Sequence, residues 1–230
     1  MRKIGIVGGL SPESTVLYYR TIVSEFRRRF ASEDYPDIII YSVNFGEFTR
    51  AAEEGDRNRA VKILLNAVEA LARAGADFAV ISANTPHMFF DYLSSRSPIP
   101  LISIVDALAE ALKRDHIKIV GLLGTKFTLR SRFYVDGLRK HGIEALIPSD
   151  EGVDVVNEVI YRELVKGVVK AESRAKVVEV IEDLVSRGAQ AVALACTELP
   201  LLVSGEVCSV KLYDTAVIHA IKALDYALSK

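Results

Sequence analysis

The chain has 230 residues, of which 50% are hydrophobic and 26% charged, and its formal net charge is -1. These values are typical of a folded protein with one large or two small domains, and they exclude a disordered chain. The balanced charge, without a long basic run, argues against nucleic acid as a partner. No apolar stretch approaches the length of a membrane span, and Met1 is not followed by a signal-peptide core, so we expect a cytoplasmic protein with no membrane partner.

The first hundred residues predict alternating strands and helices. Gly8-Gly9 ends an apolar segment, and Pro12 is suited to the first turn of a helix. Apolar residues at helical spacing over 60–71 predict a second helix, which Gly75 ends. The predicted strands of this half are 4–7, 38–41 and 78–82.

The second half repeats this pattern after a proline-bounded link at 97–100. It predicts strands over 117–123 and 191–195, with an amphipathic helix that ends at Gly188 between them. Residues 75–84 align with 188–197, and 4–9 align with 119–124, which indicates an internal duplication. In this alignment Ala83 falls opposite Cys196.

Continuous apolar strands alternating with helices predict parallel sheets that are covered on both faces. We therefore expect an α/β fold of two lobes that face one another. The first lobe takes residues 1–104 and 214–230, including a returning C-terminal helix, and the second takes residues 105–213. Because ligands of such sheets bind beyond the carboxyl ends of the strands, we expect the active site in the cleft between the lobes.

Four predicted loops at these strand ends carry polar residues: 9–11, 83–85, 124–128 and 196–198. Backbone N–H groups and helix N-termini in such loops are suited to a carboxylate. Neither the dinucleotide-binding pattern nor the Walker A pattern is complete in this sequence. Ser11, Thr85 and Thr128 could bind a ligand or could simply cap their helices.

Cys196 lies directly after a predicted buried strand, at the start of a predicted helix. The helix N-terminus is expected to lower the pKa of the thiol and make it reactive, and an inert buried cysteine is the alternative. The chain has only one other cysteine, Cys208, so neither a disulfide scaffold nor a zinc site is expected. His87 could shuttle a proton or orient its loop, whereas His219 is expected to make a structural hydrogen bond.

Residues 5–15, 83–87 and 195–199 resemble the aspartate/glutamate racemase family, as do 122–128 and 213–220. The resemblance implies two flavodoxin-like lobes related by pseudo-twofold symmetry, and a homodimer. It also implies an amino acid racemase that uses no pyridoxal phosphate or other cofactor. Such an enzyme exchanges the α-proton of its substrate with one thiol from each lobe.

The family's typical first thiol belongs at position 83, which is Ala in this chain. Residues 11–15, 18–20 and 133–134 resemble a subgroup that has Thr at this position and racemises acidic amino acids. Racemisation needs proton exchange on both faces of one carbon, and Cys196 can serve only one of them. On the other face, water held by Asn84, Thr85 or His87 could take the place of the missing base.

The sequence thus predicts a racemase of a small acidic amino acid. By resemblance, the α-carboxylate and amino group are bound by Asn84, Thr85, Thr125, Thr128 and Thr197, and the position of Ser11 in a strand-end loop adds this residue. Arg50 and Lys166 are the nearest cations for a second carboxylate. A decarboxylase of the same superfamily with a single thiol and a non-catalytic binding protein stay open as alternatives, as does an engineered Ala83.

Overall fold

The computed structural model describes residues 1–203 and 208–229. It has an α/β fold with two parallel sheets, as predicted. The chain divides into two compact units, one formed by Met1–Ile104 with the segment that begins at Ala216, and the other by Val105–Thr215. Within the described residues, no helix combines the length and apolar character needed to cross a membrane.

The sheet of the first unit has the strand order β2-β1-β3 in the described part of the chain, with all strands parallel. Its central strand β1 is buried along its whole length, whereas β2 lies at an edge. The elements of this unit are β1 (Ile4–Gly8), α1 (Pro12–Phe30), β2 (Ile38–Ser42), α2 (Phe45–Glu53), α3 (Arg57–Arg73), β3 (Phe78–Ile81), a 3-10 helix (Thr85–Phe89) and α4 (Phe90–Ser94).

Helices cover both faces of this sheet, which explains why its strands are apolar without alternation. Val7 and Ile81 pack with α3 residues such as Leu64 on one face. Ile6 and Val80 pack on the other face, against α1 and the C-terminal helix.

The second unit has a sheet with the order β5-β4-β6-β7 among the described residues, again parallel throughout. Residues of β4 and β6 form a core with the two helices α8 and α9. The elements, together with the C-terminal helix that returns to the first unit, are α5 (Ile104–Arg114), β4 (Ile119–Gly124), α6 (Lys126–Arg130), α7 (Phe133–Lys140), β5 (Glu144–Leu146), α8 (Asp150–Arg162), a 3-10 helix (Leu164–Lys166), α9 (Ala171–Ser186), β6 (Ala191–Ala195), a 3-10 helix (Leu199–Leu201), β7 (Lys211–Asp214) and α10 (Thr215–Leu228).

The strand predicted over 117–123 starts two residues later than expected, at Ile119. The backbone N–H of Ile117 bonds to the carbonyl of Leu112 and closes the end of α5. The N–H groups of Lys118 and Ile119 donate to Oε1 of Gln190, so pairing with β6 begins only beyond them. Local capping contacts of this kind have no signature in the apolar pattern. The short strands β5 and β7 were not predicted at all.

A buried chain of hydrogen bonds attaches α10 to the first unit. Nδ1 of His219 lies 2.8 Å from the Tyr18 hydroxyl, and its Nε2 lies 2.9 Å from the carbonyl oxygen of Ile102. Since a carbonyl only accepts, Nε2 carries the hydrogen, and Nδ1 accepts from Tyr18. Burial, together with the nearby His87, lowers the pKa of His219 well below 6.5 and keeps the ring neutral. The predicted structural hydrogen bond of His219 is thus confirmed.

Tyr18→Phe should lower the free energy of unfolding by about 1–3 kcal/mol, because it leaves Nδ1 of His219 buried without its donor. Tyr19→Phe is the matched control, since Tyr19 is 47% exposed on the same helix and should change the stability by less than about 0.5 kcal/mol. Urea unfolding followed by circular dichroism measures both. Equal stability of the two variants would contradict the structural role of this hydrogen bond.

Candidate active site

In the first unit, the loops after β1 and β3 lie side by side at one edge of the sheet. Val7 pairs with Ile81 in the parallel register, so both strands end at the same level. Gly9 has a φ of +79°, and a Cβ there would lie 2.4 Å from the carbonyl oxygen of Val43. At Gly8 a Cβ would lie 2.5 Å from Cγ2 of Thr15. The two glycines therefore let the chain turn closely against its neighbours.

A cluster of buried hydroxyl groups supports this turn. The backbone N–H of Gly9 donates to Oγ1 of Thr15 over 2.9 Å. Oγ1 of Thr15 lies 3.1 Å from the carbonyl oxygen of Ser11, and Oγ of Ser82 lies 3.1 Å from that of Val7. Ser14 donates to the carbonyl of Ser82. These contacts attach the start of α1 to the ends of both strands, and the sequence did not predict them.

The residues that were predicted to bind substrate at this edge have different surroundings. Ser11 caps α1, and its Oγ accepts from the N–H of Ser14 over 3.4 Å, so capping explains its position. Asn84 is buried and Thr85 half-buried. The helix that Thr85 begins is a 3-10 helix rather than the α-helix N-terminus expected for an anion site.

His87 is buried at the same edge, 3% exposed. Its Nδ1 lies 2.8 Å from the carbonyl oxygen of Ala83. Because the carbonyl only accepts, Nδ1 of a neutral ring donates this hydrogen bond. His87 thereby connects the backbone at position 83 with the His219 ring, whose centroid lies 5.3 Å away.

In the second unit, β4 and β6 likewise end together, since Gly124 pairs with Ala195. A Cβ on Gly124 would lie 3.1 Å from the carbonyl oxygen of Ala195, which shows how close the two strand ends are. Thr125 caps α6, and its hydroxyl donates to that of Thr128 over 3.0 Å. Thr128 itself is 1% exposed and is not a cap.

Cys196 lies directly after β6 and is 8% exposed. Its side chain packs in the core with α8 and α9. Its Sγ donates to Oε2 of Glu198 over 3.0 Å, and the hydroxyl of Thr197 donates to the same oxygen over 2.9 Å. Glu198 had no predicted role, although an acidic residue two positions after a thiol in a tight turn was a usable signal.

The expectation that a helix N-terminus lowers the pKa of Cys196 is wrong. The helix after the thiol is a 3-10 helix of three residues, Leu199–Leu201, with little dipole to offer. Burial and the neighbouring Glu198 carboxylate raise the pKa of Cys196 well above 9.0, although backbone N–H groups of Glu198 and Leu199 oppose this shift. The resting side chain is therefore a neutral thiol.

The predicted site residues thus form two groups, one at the carboxyl edge of each sheet. Ser11, Asn84 and Thr85 belong to the first unit. The other group belongs to the second unit and consists of Thr125, Thr128, Cys196 and Thr197. Arg50 is exposed in α2, and Lys166 is exposed at the end of a 3-10 helix. That all of them share one cleft stays a prediction.

No cluster of three or more His, Cys, Asp or Glu side chains is placed to hold a metal ion in residues 1–203 and 208–229. That the reaction needs neither a metal nor an organic cofactor stays a prediction.

Comparison with solved structures confirms that the chain is an α/β protein with flavodoxin-like lobes. A solved structure from Yersinia pestis superposes with a TM-score of 0.95 at 39% identity over 100% of both chains. An aspartate racemase homologue from Pyrococcus horikoshii OT3 gives a TM-score of 0.89, also at 39% identity over 100% of both chains. The broad specificity amino-acid racemase RacX of Bacillus subtilis is 25% identical over 199 residues, which is 85% of each chain.

The family model for Asp/Glu/hydantoin racemases matches residues 7–223, and the chain belongs to this family. The resemblance seen in the sequence is thereby confirmed at the level of the family and of amino acid racemases as a class. The catalytic thiol, the acidic substrate and the subgroup are finer predictions.

Thr15→Val should lower the free energy of unfolding by about 1–3 kcal/mol, because it leaves the buried N–H of Gly9 without its acceptor. Thr15→Ser keeps the hydroxyl and should retain most of the stability, which makes it the matched control. Urea unfolding measures both variants. A Val variant as stable as the Ser variant would show that this hydrogen bond does not support the turn.

Proposed function

We propose that this protein racemises a small acidic amino acid without pyridoxal phosphate, with Cys196 exchanging the α-proton on one face. The observation that carries the proposal is the buried Cys196 thiol at the carboxyl end of β6, in contact with a carboxylate. Membership of the racemase family supports the reaction class. The α-proton of an amino acid is weakly acidic, so its removal needs a precisely held base.

The surroundings of Cys196 support a role as an acid and base. Backbone N–H groups of Glu198 and Leu199 reach the sulfur and favour its thiolate form. The low polarity of the surrounding core strengthens the interaction of a thiolate with a cationic substrate ammonium group. We therefore assign to Cys196 the removal and return of the α-proton on one face.

Substrate recognition is assigned to the polar residues of the two sheet edges. Asn84 and Thr85 offer an amide and a hydroxyl beside Ala83, and Thr125 and Thr197 offer hydroxyls beside Cys196. An acidic side chain on the substrate requires a cation, for which we propose Arg50. Its side chain is exposed, and no ion pair of Arg50 occurs among the described residues. Its guanidinium could bind a carboxylate through two parallel hydrogen bonds.

The second face of the substrate α-carbon needs a proton donor and acceptor other than a thiol. Ala83 occupies the position of the family's first thiol and cannot carry a proton. We propose that a water molecule held by Asn84, Thr85 or His87 exchanges the proton there. Racemase assays on variants of these three residues test this, and full activity in all three would contradict it.

Ala83 also favours a second candidate function, a decarboxylase with a single thiol. Such an enzyme protonates a carbanion on one face only, because the other face needs no base when carbon dioxide leaves. It would convert a substituted malonate into one enantiomer of its product. Release of carbon dioxide from a malonate, without exchange of any amino acid α-hydrogen, would favour it over the racemase.

Proton nuclear magnetic resonance in deuterated water tests the racemase directly. Aspartate and glutamate should lose their α-hydrogen signal in the presence of the protein, and chiral chromatography should show both enantiomers. Cys196→Ala should slow this exchange by about 10²–10⁴-fold, the usual contribution of one acid or base group. Cys208→Ala is the matched control and should retain full exchange, since it leaves Cys196 in place.

The outcomes of this experiment separate the candidates. Exchange of the α-hydrogen without inversion would mean that only one face is served. Tight binding of an amino acid without exchange would contradict catalysis and favour a binding protein.

Ala83→Cys should increase the rate of racemisation, by up to about 10²-fold, because it restores a base at the position of the first thiol. Ala83→Val, which fills the same position without an exchangeable proton, is the control and should lower the rate. Rates of inversion from circular dichroism of the amino acid measure both. A Cys variant no faster than the original protein would contradict the assignment of position 83 to the second face.

A further inference from the structure

Two contacts join the loop after β4 to helix α8. The backbone N–H of Lys126, the first residue of α6, donates to Oδ1 of Asn157 over 2.9 Å. The ammonium group of the same residue pairs with the carboxylate of Asp154. Asp154 and Asn157 are three positions apart in α8 and therefore lie on the same face of this helix. Helix α8 thus contacts Lys126 at its backbone and at its side chain.

The contact with Asn157 is the more shielded of the two. Asn157 and Lys126 are half-buried, whereas the side chain of Asp154 is 61% exposed. An exposed ion pair contributes little to the position of a loop, because water competes for both charges. The N–H of Lys126 is among the first N–H groups of a helix, which have no acceptor within that helix. Loss of Asn157 would remove its acceptor in a region that is partly shielded from water.

Asn157 fixes the orientation of one peptide unit. The carbonyl of Thr125 and the N–H of Lys126 lie in the same peptide plane. The carbonyl accepts from the N–H of Leu129 over 3.0 Å, and the N–H donates to Asn157. Because both polar groups are bonded, the unit cannot rotate without breaking a hydrogen bond. A rotation would move Thr125 and its hydroxyl.

The hydroxyl of Thr125 is linked in turn to Thr128. The N–H of Thr128 donates to Oγ1 of Thr125 over 3.2 Å, and this oxygen donates to Oγ1 of Thr128 over 3.0 Å. The two hydroxyls therefore follow the position of the peptide unit that Asn157 holds.

We propose that Asn157 is a positioning residue for the α-carboxylate of the substrate. It acts through the backbone of Lys126, which it holds so that the hydroxyls of Thr125 and Thr128 stay where the carboxylate binds. This inference rests on the proposed function, to which it adds a residue of α8 that the sequence did not mark. Because the carboxylate is bound both before and during proton transfer, loss of its position should appear mainly in KM rather than in kcat.

Steady-state racemisation of aspartate or glutamate, whichever is converted faster, by an Asn157→Leu variant tests this role. Leu has a similar shape but no acceptor for the N–H of Lys126. KM should rise by about tenfold, the factor that corresponds to one ordinary hydrogen bond, while kcat changes by less than about twofold. Asn157→Asp keeps an acceptor at the same place and should restore KM. Asp154→Asn is the matched control, since it removes the ion pair of Lys126 but keeps the backbone contact, and it should leave both constants unchanged.

Binding measured without turnover separates this inference from the racemase itself. Isothermal titration calorimetry of L-aspartate and L-glutamate in a Cys196→Ala background should give a Kd about tenfold higher when Asn157→Leu is added. Urea unfolding establishes that each variant is folded. Asn157→Ala, which favours a helix, takes the place of the Leu variant if that variant does not fold.

An unchanged KM in Asn157→Leu, or a fall in kcat alone, would overturn the proposal, because Asn157 would then support the fold without positioning the carboxylate. An equal rise of KM in Asp154→Asn would also overturn it, since the side chain of Lys126 would then be responsible. A parent that binds aspartate without exchanging its α-hydrogen, and binds it more weakly with Asn157→Leu, would support the positioning role while contradicting the racemase. A parent that binds neither aspartate nor glutamate would overturn both.

Discussion

Parallel pairing of neighbouring strands is the constraint on which the rest of this molecule depends. β1 with β3, and β4 with β6, run in the same direction and end at the same level. Residues far apart in the chain are therefore brought to one edge of each sheet. Cys196 lies beside the loop of Thr125 for this reason, and Ala83 beside the turn at Gly9. The chemistry available to these residues depends on that register.

The second constraint is the contact of a buried thiol with a half-buried carboxylate. Cys196 is in a core formed with two helices, and its hydrogen-bonding side-chain contact is Glu198. A carboxylate in contact with the sulfur favours the protonated form of the thiol, and burial acts in the same direction. The turn therefore does more than position a sulfur, because it determines which state of that sulfur is available to a substrate.

The first unit satisfies its buried polar groups differently. Tyr18 and His219 form a chain of hydrogen bonds that ends on a backbone carbonyl. The hydroxyl of Thr15 accepts a hydrogen bond from the backbone N–H of Gly9. Each hydrogen-bond role in these chains is determined by a partner that can only donate or only accept. These groups stabilise the edge of the sheet rather than react there. They hold in place the loop that carries Ala83 and Asn84.

Much of the fold and part of the site could be predicted from the sequence alone. Apolar runs at strand length and apolar residues at helical spacing were sufficient for β1, β3, β6 and α3, because burial on both faces leaves few alternatives. The glycines and hydroxyls after the strands marked the polar edges, and the apolar run before Cys196 placed this residue at the end of a buried strand. The exact start of β4 and the short strands β5 and β7 could not be predicted, because their limits depend on contacts such as that of Gln190.

The protonation of Cys196 was decided only by tertiary structure. The sequence placed a thiol before a helix and so predicted a lowered pKa, whereas burial in the core and contact with Glu198 raise it. Sequence order defines the neighbours along a chain, but a pKa depends on solvent exclusion and on the charges in space around the group. The sequence thus determined that Cys196 stands at the end of a buried strand, and the fold determined that it stands there as a neutral thiol bonded to a carboxylate.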